Sequence, residues 1–190
     1  LTEDTTTGTT FYDDVDTLTA QVDVEFIQQQ YGTASIGYLI FLPVEGASYS
    51  ILHYLEDGGN YLNEFSCLYL YDSYAGEKTY NSPNVYAHEI LHLFGAADLY
   101  VGSRDAFVTQ PLAQYVLNTW PDAIMYYTYN SDNGISYDHI EKTLCPLTAY
   151  RLGLVDSFPG SEQFPAATQD PPGVFSNGAG QNWTASDEAT

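Results

Sequence analysis

Positive charge is what the chain has least of: 4 Lys and Arg stand against 25 Asp and Glu, a formal net charge of −21 over 190 residues. Nucleic-acid binding draws its free energy from basic side chains that displace counterions, so the composition argues against nucleic acid and anionic membrane surfaces as partners. Cationic substrates and Ca²⁺ are attracted by such a surface. Asp13, Asp14, Asp16, Asp57 and Asp132 match no calcium-loop pattern, however, so Ca²⁺ has no motif behind it. Cysteine is equally scarce. Cys67 and Cys145 lack the C-x-x-C spacing of a metal knuckle, and two readings stay open: one disulfide in an exported protein, or two buried thiols. No apolar run reaches the length of a membrane span, and no basic-then-apolar leader opens the chain. There are no internal repeats.

What remains is enough for one domain with a real core, since 44% of the residues are hydrophobic. Residues 1–10 are Thr-rich and read as linker. Without an initiator Met they look like the start of a processed chain whose signal or anchor segment has been removed, implying an extracellular or cell-surface protein. Residues 11–156 carry the patterned segments. Residues 157–190, rich in Pro, Gly, Ser, Thr and Gln, read as an irregular tail, with Phe158, Phe164, Phe175 and Trp183 available to pin it to the domain.

Residues 14–31 fit two patterns. Leu18, Ala20, Val22, Val24 and Phe26 alternate as in a strand, while Val15, Leu18, Val22 and Phe26 also share a helix face, and length favours a helix backing the sheet. Ser35–Pro43 reads as a strand ended by its proline, Ser48–Leu55 as a second before the turn at Glu56–Asn60, and Phe65–Tyr71 as a third. Tyr137–Leu154 is helical in period, with Pro146 either starting the helix or kinking it. The expected class is α+β, with a small mixed sheet, one central helix and a C-terminal helix.

The central helix carries the chemistry. Ser82–Tyr100 reads S-P-N-V-Y-A-H-E-I-L-H-L-F-G-A-A-D-L-Y. Ser82 then Pro83 form an N-terminal signature, and Gly95 is a residue able to take positive φ and stop the helix. Residues four apart share a helix face, so His88 and His92 are placed to grip one metal ion. Glu89, beside the first, is placed to act as general base on a metal-activated water. Ala87, Ile90, Leu91 and Phe94 give an apolar face opposite the histidines. Beyond Gly95 the chain can double back to offer Asp98 as third ligand, leaving a coordination position open as in catalytic zinc sites. His139 and Glu141 are the rival third ligands, and His53 reads as a packed or solvated side chain.

The series His88-Glu89-x-x-His92-x-x-Gly95-x-x-Asp98 resembles that of the metzincin zinc peptidases, in the snapalysin-like variant with aspartate as third ligand. Asp122-Ala123-Ile124-Met125-Tyr126-Tyr127 resembles the methionine-containing turn found beneath the zinc in that family, with Met125 the single methionine of the chain. Tyr127 matches the tyrosine that stabilises the transition state in some branches. The resemblance implies a metzincin-like fold, one catalytic Zn²⁺ on His88, His92 and Asp98, structural support from Gly95 and Met125, and an edge strand pairing with extended substrate. It implies a secreted endopeptidase in which zinc-bound water, activated by Glu89, attacks a peptide bond. Two other classes fit the same residues: a zinc hydrolase of non-peptide amides, and a non-catalytic surface binding module that keeps the fold.

Overall fold

The computed structural model describes residues 11–32, 36–51, 64–72, 79–129, 136–168, 175–176 and 182–183. It is α+β: helices α1 (Phe11–Thr19) and α2 (Val24–Tyr31) precede strands β1 (Tyr38–Glu45), β2 (Tyr49–Ile51), β3 (Phe65–Asp72) and β4 (Thr79–Tyr80). Helices α3 (Pro83–Leu93), α4 (Gln110–Thr119) and α5 (Pro146–Arg151) follow, then a 3₁₀ turn at Pro165–Thr168 and the short pair β5 (Phe175–Ser176) and β6 (Asn182–Trp183).

The sheet is mixed. β3 lies in the middle, parallel to β1 and antiparallel to β2, with β4 antiparallel to its far end. One face, with Phe65, Cys67 and Leu42, packs on Val15 of α1. The other turns towards α3, where the hydroxyls of Ser50 and Ser66 both donate to the Glu89 carbonyl, at 2.6 and 3.2 Å. The larger core lies beyond α3 and gathers Leu99, Leu112, Val116, Met125, Leu147 and Phe158. Thus α3 is clamped between sheet and core.

Several expectations are refined here. Residues 11–31 form neither one strand nor one helix: Asp23 interrupts them, its carboxylate accepting the Phe26 N–H at 3.0 Å as an N-cap. Of the expected helix face only Val15 is buried, at 1% exposed, while Phe26 is 60% exposed, because the break turns the two short helices away from a common stripe. Gly32 ends α2 at φ 65°, a left-handed conformation that glycine takes without strain. Pro43 does not end β1. The strand continues to Glu45 with its register slipping between Leu42 and Glu45, a place where a missing N–H costs no ladder bond. Pro146 starts α5 instead of kinking a longer helix.

The face of α3 opposite the histidines is not its most buried one. Ala87 and Leu91 do pack on the larger core, but Asn84, Val85 and His88 are the fully buried positions and Phe94 is 40% exposed. A helix clamped on two sides buries more than its apolar stripe. Cys67 and Cys145 are free, buried thiols in separate cores, and burial pushes the Cys67 thiol up to about 11. Residues 157–168 enter the larger core through Phe158, Phe164 and Ala167, with the Tyr115 hydroxyl donating to the Pro159 carbonyl at 3.0 Å. His53, the Glu56–Asn60 turn, Asp57 and Asp132 lie outside the described residues. Among the described residues no helix is long and apolar enough to cross a membrane.

The turn between β1 and β2 sets the rim of the cleft beside α3. Gly46 donates its N–H to the Tyr71 carbonyl at 3.0 Å, and a Cβ there would overlap the Tyr69 ring. Gly46→Ala is expected to destabilise the protein by about 1–3 kcal/mol, as overpacking does. Urea denaturation checks this, and an unchanged midpoint would contradict the close approach.

Candidate metal centre

Helix α3 starts as its sequence announces, with Ser82 at the N-cap and Pro83 at the first helical position. The Ser82 hydroxyl makes no capping bond, so the proline carries the signal. At the other end Gly95 takes φ 89°. Its N–H bonds the His92 carbonyl at 2.8 Å and the Ala96 N–H bonds the Leu91 carbonyl at 3.1 Å, the paired closure of a Schellman motif. This turn reverses the chain and brings Asp98 back over the helix.

The result is a triangle of ligand atoms. His88 Nε2 lies 3.1 Å and His92 Nε2 3.4 Å from Asp98 Oδ1. The two rings stand perpendicular, their centroids 4.8 Å apart. Among the described residues these three make the only group of His, Cys, Asp or Glu close enough to share an ion. Asp98, and neither His139 nor Glu141, therefore joins the histidines. His139 instead faces Asp138 at 2.6 Å on the exposed surface.

The hydrogen bonds on the outer side of the rings decide what the inner side can hold. His88 Nδ1 lies 2.9 Å from the Ile124 carbonyl, and His92 Nδ1 lies 2.7 Å from the Ala96 carbonyl. A carbonyl oxygen only accepts, so each Nδ1 carries a hydrogen, and a neutral imidazole then has a bare lone pair on Nε2. Both lone pairs converge on Asp98 Oδ1, which is buried and has no hydrogen-bond donor. Three acceptors facing one another repel unless a cation lies between them. Bonds of about 2.1 Å in a tetrahedral site separate neighbouring ligand atoms by about 3.4 Å, close to the spacing seen. The donor set fits a divalent metal ion, with the carbonyls supplying the outer bonds that orient metal-ligating histidines.

The positive charge at the centre can also be a proton: burial alone would raise Asp98, but hydrogen bonding and attraction from the two imidazoles, which require a proton on Nε2, outweigh it and hold its carboxyl well below the usual carboxylate range. Burial works to lower His92, and the neighbouring Asp98 reverses this to a net rise. Glu89 is no ligand; it lines the cleft beside His88, and burial raises it against the downward pull of His88 and His92. The cleft has a volume of about 600 Å³.

The turn at Asp122–Tyr127 underlies the site. Met125 is fully buried there, and its carbonyl accepts the Leu99 N–H at 2.8 Å, so one turn holds both His88, through Ile124, and the residue after Asp98. Tyr127, 51% exposed, stands in the cleft wall with Tyr126 and Tyr129.

Two functional partners escaped the sequence reading. Tyr100 donates its hydroxyl to Asp98 Oδ2 at 2.8 Å, fixing which carboxylate oxygen faces the histidines. Asn84 is buried, and its side-chain oxygen accepts the N–H groups of Glu141 and Lys142 at 2.9 and 3.1 Å, tying α3 to the segment that pairs with the Met125 turn. An Asn on the inner face of a helix and a Tyr two residues past a ligand were the available signals, both too common to stand out.

Compared with protein-family models, curated proteins and solved structures, the chain matches none of them.

Because metal and protons compete for the same lone pairs, metal affinity is expected to climb as pH rises. The raised His92 holds its proton above the ordinary value of about 6.5, and that proton must leave first. Isothermal titration in buffers of different ionisation enthalpy, from about pH 5.5 to 8.5, should show proton release on binding. An affinity independent of pH would contradict this ligand set.

Proposed function

We propose that the chain is a secreted zinc-dependent endopeptidase of metzincin-like architecture. The observation that carries the reading is the convergence of two bare imidazole nitrogens on the buried, donorless Asp98 Oδ1, with Glu89 in the adjoining cleft. Two nitrogens and one carboxylate oxygen suit zinc, and three protein ligands are the number a catalytic site keeps. Zinc, when bound there, supplies Lewis acidity that polarises a carbonyl and makes water easier to deprotonate.

The chain's own groups do the rest. Glu89 accepts a proton from the attacking water and passes it to the leaving amine nitrogen. Burial raises its proton affinity above that of a free carboxylate, the direction that favours a general base. Ser50 and Ser66 hold the backbone of Glu89 to the sheet and so fix its position relative to the histidines. The Met125 turn supports His88 from below. Tyr127 is the phenol in the cleft wall assigned to the developing oxyanion. A base retained in the cleft wall argues against a purely binding module.

Two variants separate the roles. Glu89→Ala is expected to keep about one zinc per chain by elemental analysis and to lose hydrolysis of a peptide library by about 10²-fold or more. Asp98→Ala is expected to lose zinc and hydrolysis together. Wild-type turnover in Glu89→Ala would sink the general-base assignment, and zinc retained by Asp98→Ala would sink the ligand set.

A further inference from the structure

We propose that Tyr100 is a positioning residue of the metal centre, confining Asp98 to a single oxygen on the ion. The inference rests on the ligand set of His88, His92 and Asp98. It deepens the peptidase reading, because a carboxylate that takes one position leaves another open for water. The two oxygens of Asp98 have unlike surroundings. Oδ1 is buried without a hydrogen-bond donor, 3.1 Å from His88 Nε2 and 3.4 Å from His92 Nε2. Oδ2 accepts the Tyr100 hydroxyl at 2.8 Å. One oxygen is thus turned to the other ligand atoms, and the second is held by a phenol.

The segment returned by Gly95 builds this contact. Leu99 belongs to the larger core, 1% exposed, and its N–H is held by the Met125 carbonyl at 2.8 Å. Asp98 and Tyr100, on either side of it, meet through their side chains. The Tyr100 carbonyl accepts the Ser103 N–H at 3.2 Å, so a turn fixes the tyrosine from its far side. Tyr100 lines the cleft together with His88 and Glu89. A phenol keeps its proton at neutral pH, so towards a carboxylate it donates. Carboxylates bind divalent ions through one oxygen or through both. Bringing Oδ2 onto the ion as well would turn it away from the phenol, and a hydrogen bond to a charged acceptor is about twice as strong as a neutral one. The hydroxyl therefore favours binding through Oδ1 alone.

The test uses the full chain, freed of metal and reloaded with Co²⁺, whose visible absorption is strong in a four-coordinate site and weak at higher coordination. Wild type is expected to show the strong bands. Tyr100→Phe removes only the hydroxyl and is expected to lose most of that intensity, because the freed Oδ2 joins the ion. A residue that merely stabilised the fold would shift the unfolding midpoint and leave the bands unchanged. Strong bands in both proteins therefore overturn the role of Tyr100 and leave the ligand set and the peptidase standing. Weak bands in wild type overturn that role as well. No Co²⁺ bound by wild type overturns the ligand set and this inference with it. Bands that fade in Tyr100→Phe, from a wild type that cuts no peptide, overturn the peptidase and keep the positioning role. Should Tyr100→Phe fail to fold, X-ray absorption of the zinc-loaded wild type decides: one carboxylate oxygen at bonding distance supports the inference, and two overturn it.

Discussion

Three hydrogen-bond acceptors forced to face one another inside the protein are the constraint on which the rest of the structure depends. Each imidazole is turned inward by a backbone carbonyl behind it, Ile124 for His88 and Ala96 for His92. Those carbonyls are in turn fixed by backbone bonding. Ala96 belongs to the closure at the end of α3, and Ile124 to a turn whose next residue, Met125, accepts the Leu99 N–H. The arrangement is stable only with positive charge at its centre, so metal or proton occupancy and local structure are coupled.

Rigidity elsewhere follows from the need to hold α3. On the sheet side two serine hydroxyls share one helix carbonyl, and on the core side Asn84 gathers two backbone N–H groups. Each is a short polar side chain whose partner is backbone, so neither spends rotamer freedom on a long reach. The apolar core then closes over the turn through Leu99, Met125 and Leu147. Burial of these groups stabilises the fold, and the polar ties fix one orientation of the helix within it.

Charge organises the outside as these ties organise the inside. Only four basic residues are present, and the structure uses two of them internally. Lys142 is buried, with Nζ 3.5 Å from Asp122 Oδ1 and 5.9 Å from the centre of the Tyr127 ring. Arg151 lies over the Phe107 ring at 4.5 Å and donates to the Ala167 carbonyl at 3.5 Å. With these two cations committed to packing and a formal net charge of −21, the molecule is strongly acidic.

What the sequence determined by itself was local. The spacing of His88, Glu89 and His92 defines a helix face, Pro83 defines where that helix starts, and Gly95 must take the positive φ that stops it; each is a property of a few adjacent residues. The choice of Asp98 over His139 and Glu141 was tertiary, because it depends on how the chain returns after Gly95 and which segment the Met125 turn holds close. The same holds for Tyr100 and Asn84, ordinary residues by type whose contacts come from partners up to 58 positions away. The break between α1 and α2 was visible only as a conflict of two periods, which Asp23 resolved by capping. Short-range stereochemistry is written in neighbouring residues, whereas convergence of distant side chains is fixed only when the whole core packs.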